Sequence, residues 1–126
     1  MKNFLFGVLI MFSFFTGGCK AQIDSTKEMS VEQLKERLND KSLIIIDVRT
    51  KEELSGSLGQ IDGVINIPVQ ELKSRLDEIK KYKENEIAVV CRSGNRSNSA
   101  TQLLRQHGFN AKNVVGGMIS FRKNEN

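Results

Sequence analysis

Residues 87–97 read IAVVCRSGNRS, a short apolar run followed by a polar loop of small and cationic residues. The run 87–90 is uninterrupted and rich in β-branched side chains, which is typical of a strand buried on both faces of a parallel sheet. Apolar residues at 100, 103 and 104 then follow at helical spacing. This unit of strand, loop and helix predicts an α/β fold.

The same two patterns alternate on either side of this unit. Capping boxes at Ser30 with Gln33 and at Thr50 with Glu53 mark the starts of two helices. The apolar residues at 69, 72, 76 and 79 share one helical face, and Gly108 is a suitable end for the helix after the loop. Strands alternating with helices predict a parallel sheet covered on both faces. The further strands are predicted at 43–48, 64–67 and 113–115, with a short one at 27–29.

Composition excludes several classes of protein. A chain of 126 residues with 39% apolar and 27% charged residues fits one globular domain rather than a disordered or fibrous protein. The net charge of +4 is small and scattered, so we expect no nucleic-acid partner. Two cysteines form neither a disulfide framework nor a four-ligand zinc site, and His107 is the single histidine. No metal, nucleotide or flavin motif is present, so no cofactor is expected.

The first 18 residues have the layout of a secretory signal: Lys2, an uncharged run at 4–15, and small residues before Cys19. The run is shorter than the roughly 20 residues that span a bilayer. Gly17-Gly18-Cys19 resembles the end of a bacterial lipoprotein signal, although Thr16 replaces the usual Leu. We therefore expect lipidation at Cys19 and a periplasmic or surface location; the alternatives are cleavage after Ala21 or an uncleaved anchor. The predicted division is signal peptide 1–18, tether 19–27, domain 28–123 and tail 124–126.

The loop after residue 90 is suited to holding a reactive thiolate. Its backbone N–H groups and the positive end of the following helix favour an anion, Arg92 and Arg96 add positive charge, and Gly94 permits a tight turn. Cys91 lies at its base, so its pKa is expected below the ordinary value of about 8.5. A structural buried cysteine is the alternative, but it leaves the arginines and the glycine unexplained. The candidate site consists of Cys91 as nucleophile with Arg92, Ser93, Gly94, Asn95, Arg96 and Ser97.

Residues 91–97 resemble the active-site loop of rhodanese-like sulfurtransferases. Three further segments resemble motifs of that family in the same order: 46–53, 59–68 and 114–117. Three features depart from the pattern: Gln60 stands where many members have His, Phe121 where Trp is frequent, and the connection at 55–58 is slightly longer.

The resemblance implies a rhodanese-like three-layer α/β/α sandwich around a small, mainly parallel five-stranded sheet. It also implies that Cys91 takes the sulfane sulfur of a small anionic donor such as thiosulfate, releases sulfite and passes the sulfur from a persulfide to a thiol or cyanide. Arg92 would hold the sulfur donor, and Arg96 would order the loop or add positive potential. Asp47 and Arg49 are expected to support the loop as an ion pair. We expect a monomer.

Three other functions remain open on the sequence. A persulfide carrier would keep all the same loop residues. A phosphatase or arsenate reductase of the Cys-loop type is disfavoured because only four residues separate Cys91 from Arg96, where phosphatase loops have five. A cysteine hydrolase would need His107 as its base, and that residue lies about one helix length away from Cys91.

Overall fold

The computed structural model describes residues 24–123 and 125. The predicted signal peptide 1–18, Cys19, the tether up to residue 23, and residues 124 and 126 of the tail lie outside the described residues. Within the described part, no helix has the length and apolar character required to cross a bilayer. Residues 24–27 of the tether form a turn, in which the Lys27 N–H donates to the Asp24 carbonyl at 3.0 Å.

Five parallel strands form one sheet in the order β1-β5-β4-β2-β3. The strands are β1 (Glu28–Met29), β2 (Leu43–Asp47), β3 (Ile65–Asn66), β4 (Glu86–Val90) and β5 (Asn110–Val114). The helices are α1 (Val31–Glu36), α2 (Lys51–Leu54), α3 (Val69–Leu72), α4 (Asn95–Gln106) and α5 (Gly117–Arg122), with a 3₁₀ helix (Lys73–Tyr82) directly after α3.

The two faces of the sheet bury separate apolar cores, because side chains alternate along each strand. On β4, Ile87 and Val89 belong to one core, and Ala88 and Val90 belong to the other. Helices α3 and α4 cover the first face, while α1 and α5 cover the second. This arrangement confirms the predicted three-layer sandwich with a five-stranded parallel sheet. The helical core residues are Leu72, Ala100 and Leu104 on the first face and Val31, Leu34, Met118 and Phe121 on the second.

Parallel pairing brings the carboxyl ends of the strands to one edge of the sheet. Asp47 of β2 lies opposite both Val90 of β4 and Asn66 of β3. Asn113 of β5 lies opposite Val89 of β4. The segments that follow β2, β4 and β5 therefore meet, which is where ligand sites form in such sheets.

Both capping boxes predicted from sequence are present, at Ser30 with Gln33 and at Thr50 with Glu53. The strand bounds at 28–29, 43–47, 65–66 and 86–90 lie within one residue of expectation, and three elements differ by more. The helical face at 69–79 is only briefly α-helical, because the chain changes to a 3₁₀ helix after Leu72 and kinks at Arg75 (φ −114°, ψ 16°). Helix α4 begins at Asn95, within the predicted loop 91–97, and β5 begins at residue 110 rather than 113.

Helix α5 was not predicted, and it closes the sheet edge against the loop after β4. Its amides hold that loop: the Met118 N–H donates to the Cys91 carbonyl at 2.8 Å, and the Ile119 N–H donates to the Arg92 carbonyl at 3.0 Å. Gly117 makes this approach possible, since a Cβ there would lie 2.5 Å from the Cys91 carbonyl oxygen and 2.6 Å from that of Arg92. Its φ of +57° also lies in the left-handed region.

We expect Gly117→Ala to lower the free energy of unfolding by about 2–5 kcal/mol, combining left-handed strain with a backbone collision. Gly63→Ala is the matched control, because Gly63 also has a positive φ (+79°) but nothing lies within 4 Å of the added Cβ. That control is expected to lose only about 1–2 kcal/mol. Urea denaturation of both variants measures the difference. Equal losses would show that α5 does not need its close contact with the loop.

Candidate functional site

Cys91 is the first residue after β4, and its side chain is 1% exposed. Its Sγ accepts a hydrogen bond from the Gly94 N–H at 3.1 Å and lies 3.2 Å from the Ser97 hydroxyl. Gly94 makes the turn with a φ of +107° and precedes α4. Because α5 engages the carbonyls of Cys91 and Arg92, the loop turns these acceptors away from the sulfur. The sulfur therefore lies at the floor of the Cys91 loop, residues 91–97, surrounded by N–H and hydroxyl groups.

These surroundings lower the pKa of the Cys91 thiol. Burial raises the pKa, but the hydrogen bond with the Ser97 hydroxyl and those from the N–H groups of Ser97, Gly94 and Ser93 together outweigh it. The pKa is therefore below its ordinary value. The inward N–H groups expected from the sequence are among these causes, and the Ser97 hydroxyl adds to them.

Arg96 forms an ion pair instead of directing a free charge at the sulfur. Its guanidinium donates to both carboxylate oxygens of Glu53, at 2.6 and 2.8 Å. This bidentate contact lowers the pKa of Glu53 to about 2. Glu53 also accepts from the backbone and the hydroxyl of Thr50, so the pair joins the start of α4 to the capping box of α2. Glu53 was missed as a site residue, since only its capping role shows in the sequence.

The other loop residues divide by exposure. Arg92, Ser93 and Asn95 are exposed, and Arg92 directly follows Cys91, where its charge faces solvent at the loop. Ser97 is fully buried, and its hydroxyl donates to Oδ1 of Asn113 at 2.6 Å. Asn113 is a second residue that sequence reasoning missed, because it lies on β5, outside the loop.

Asp47 and Arg49 form a buried ion pair, with side chains 0% and 1% exposed and a shortest contact of 2.7 Å. Arg49 also donates to the Gly59 carbonyl at 2.8 Å, and Asn66 donates its amide to the carbonyls of both Asp47 and Arg49. The pair thus fixes the segment after β2. Its connection to the Cys91 loop runs through the backbone, where the Val48 N–H donates to the carbonyl of residue 90 at 2.9 Å.

His107 lies at the opposite end of α4 from the Cys91 loop. Since α4 has 12 residues, about 18 Å of helix separates it from the loop. Its Nδ1 contacts the Leu103 carbonyl at 2.8 Å. The geometry therefore gives Cys91 no histidine base. Within residues 24–123 and 125, no group of three His, Cys, Asp or Glu side chains is placed to hold a metal ion.

Comparison with known proteins assigns the chain by sequence and by fold. Residues 30–124 match the family model described as a rhodanese-like domain. The chain is 38% identical over 96 residues to the putative sulfur carrier protein YrkF of Bacillus subtilis, covering 75% of this chain and 50% of that protein. It is 35% identical over 96 residues to the putative sulfurtransferase YtwF of the same organism, covering 75% of this chain and 89% of that protein.

A solved structure supports the same assignment. A rhodanese-related protein from Thermoplasma volcanium superposes with a TM-score of 0.69 at 33% identity, covering 77% of this chain and 91% of that one.

The Glu53–Arg96 pair predicts opposite effects for its two halves on the pKa of Cys91. Arg96→Ala leaves an uncompensated carboxylate near the loop, which disfavours the thiolate and raises the pKa of Cys91. Glu53→Gln leaves an uncompensated guanidinium, which favours the thiolate and lowers that pKa. The double variant is expected near wild type, because the pair is neutral as a unit.

The pH dependence of alkylation by iodoacetamide measures the pKa of Cys91, since only the thiolate reacts. It is recorded for the wild type, the two single variants and the double variant. The expected order of midpoints is Glu53→Gln lowest, wild type and double variant together, and Arg96→Ala highest. Indistinguishable midpoints would show that neither charge affects the pKa of Cys91 and that the pair only links the two helices structurally.

Proposed function

The chain belongs to the rhodanese-like family, and from that premise we propose that it transfers sulfane sulfur through a persulfide on Cys91. The observation that carries the proposal is the buried Sγ within hydrogen-bond distance of the Gly94 N–H and the Ser97 hydroxyl. These groups stabilise negative charge on the first sulfur and on one added to it. Sulfur transfer is also the activity for which the relative YtwF is named.

In the first step, the Cys91 thiolate attacks the outer sulfur of thiosulfate. A bond forms between Sγ and that sulfur, while the bond between the two thiosulfate sulfurs breaks. The electron pair of the broken bond leaves with sulfite, and Cys91 keeps a persulfide with one negative charge. Arg92 is exposed beside the nucleophile and supplies a cation for the anionic sulfur donor. No proton has to be removed from an ionised thiol, so the reaction needs no histidine base.

In the second step, a thiophilic acceptor attacks the outer sulfur of the persulfide. With cyanide the product is thiocyanate; with a thiolate it is a new persulfide on the acceptor. In both cases the bond between Sγ and the outer sulfur breaks, and Cys91 recovers its electron pair as a thiolate. The resting state of the loop is thereby restored without any cofactor.

A persulfide carrier is the second candidate, and the 38% identity to the putative sulfur carrier YrkF favours it. A carrier and an enzyme share the chemistry of the first step, and they differ in turnover. Steady-state thiocyanate formation from thiosulfate and cyanide identifies an enzyme. Stoichiometric loading without turnover identifies a carrier.

Phosphate chemistry is disfavoured by the position of Arg96. A phosphate-binding loop needs its arginine to clamp the oxygens of the bound group. Arg96 instead donates N–H groups from its two terminal nitrogens to both carboxylate oxygens of Glu53, at 2.6 and 2.8 Å. Releasing it would leave a carboxylate next to an incoming dianion, which opposes binding.

We also propose that the domain works in the cell envelope, attached through a lipid on Cys19. Support comes from the sequence, where a basic start, an uncharged run and small residues precede that cysteine.

Incubation with thiosulfate is expected to add one sulfur atom to the purified protein, and cyanide is expected to remove it. Cys91→Ser should abolish both the mass gain and thiocyanate formation, while Arg92→Ala raises KM for thiosulfate roughly threefold to tenfold with kcat little changed. Lys80→Ala is the matched charge control, because Lys80 is 71% exposed and lies in the 3₁₀ segment before β4. Intact mass spectrometry and steady-state kinetics are the measurements. A wild-type protein that gains no sulfur refutes the proposal.

Lipidation predicts that Cys19→Ser abolishes incorporation of a labelled fatty acid in cells, whereas Cys91→Ser leaves it unchanged. Membrane fractionation of the same cells gives the location. Cleavage after Ala21 would instead yield an unlabelled protein with the mass of a chain that begins at Gln22.

A further inference from the structure

The Ser97 hydroxyl lies between two other buried polar groups. Its Oγ is 3.2 Å from the Cys91 Sγ and 2.6 Å from Oδ1 of Asn113. Cys91, Ser97 and Asn113 are 1%, 0% and 7% exposed, so solvent does not readily substitute for any of these contacts. A hydroxyl has a single proton and donates to one partner at a time. The direction of that proton therefore matters for the sulfur.

The contacts as they stand suit a neutral thiol. Ser97 donates to Asn113, so in its contact with Cys91 the thiol is the donor and Oγ the acceptor. A thiolate has no proton and needs Ser97 to donate to it. The Ser97 Oγ must then accept a hydrogen bond from Asn113. A half turn of the Asn113 side-chain amide exchanges its oxygen and its NH₂ group, which places an N–H beside Oγ. The energy barrier to this side-chain torsion is low.

Asn113 is well placed for such a turn. Its backbone is fixed in β5, where its N–H donates to the Lys27 carbonyl at 2.9 Å and its Cα pairs with that of Val89. The residue lines a cavity of about 260 Å³ together with Ser93 and Asn98. The strand holds the residue in register, so the turn changes only the terminal side-chain torsion.

We propose that Asn113 is a positioning residue whose amide orientation decides whether the Ser97 hydroxyl accepts from Cys91 or donates to it. This inference rests on the proposed function for its relevance. A reorienting Asn113 amide would allow the same loop to hydrogen-bond a thiol, a thiolate and a persulfide in turn. Asn113 itself touches Ser97 and acts through it.

The charged groups around the sulfur do not depend on the amide. Arg96 is paired with Glu53, Asp47 is paired with Arg49, and Arg92 is exposed at the loop. Glu28 also lies on the cavity beside Asn113. A change of amide orientation moves none of these charged groups. Removing the Ser97 hydroxyl therefore distinguishes an effect on the Cys91 pKa that passes through the hydrogen bond from one caused by charge.

The first experiment compares Asn113→Asp with Asn113→Leu, each with Ser97 present and with Ser97→Ala. Aspartate only accepts, so it holds the Ser97 proton and raises the pKa of Cys91 by about one unit or more. Leucine removes the partner in both states and shifts that pKa by less than about half a unit. With Ser97→Ala, the shift caused by aspartate should fall by at least half. Equal shifts with and without Ser97, or no shift, would overturn the proposal.

The second experiment follows the wild-type protein, and the variants serve only for signal assignment and as a control. The side-chain amide of Asn113, identified by the signal missing from Asn113→Leu, is followed by ¹⁵N NMR across the Cys91 titration. Its resonances are expected to move with the same midpoint as alkylation, and to stop moving in Ser97→Ala. An amide that does not respond, or responds equally without Ser97, contradicts the inference.

Both readouts are independent of sulfur transfer. Alkylation and the amide signal report on Cys91 ionisation without any sulfur donor. If thiosulfate loading fails while the amide follows the titration, the proposed function is wrong and the positioning role stands. If loading succeeds while the amide is unresponsive, only the positioning role is wrong.

Discussion

A sulfur that is 1% exposed yet has to carry negative charge is the constraint on which the site depends. Burial alone would keep Cys91 protonated, so the loop must aim several N–H groups inward. Inward N–H groups require outward carbonyls, and buried carbonyls need their own donors. Helix α5 supplies these from Met118 and Ile119. The last helix is therefore as much a part of the site as the loop, and Gly117 is the position where the two meet.

The ion pairs near the site are internally neutral, which shapes its electrostatics. Asp47 and Arg49 are fully buried, and such a pair is tolerated only when its remaining groups are hydrogen-bonded. The Gly59 carbonyl and the backbone N–H of Arg49 meet that requirement. Pairing also fixes Arg96. The attraction left for an anion comes from Arg92 and the amides at the start of α4, short-ranged groups concentrated at the loop.

Elements that depend on local sequence patterns could be predicted from the sequence. Contacts between segments far apart in the chain could not. Uninterrupted β-branched runs predicted the central strands, and the spacing of side-chain caps predicted the starts of α1 and α2. The pairing of Glu53 with Arg96 joins residues 43 positions apart, and no local pattern encodes it. Helix α5 was missed because it has six residues and starts at a glycine, which has low helix propensity. Asn113 was missed because a polar residue in a strand resembles an ordinary strand end.

Burial of Sγ also separates the two states of the proposed reaction. A sulfur added to Cys91 lies about 2 Å beyond Sγ, the length of an S–S bond. The resting thiol stays at the floor of the loop, where burial shields it from bulky oxidants and disulfides, and in the proposed persulfide the added sulfur is the outer atom. An acceptor then meets the outer sulfur first, which is the atom it has to attack. Burial thus disfavours side reactions of Cys91 with bulky reagents, while small reagents and the small anionic donor can still reach the thiolate.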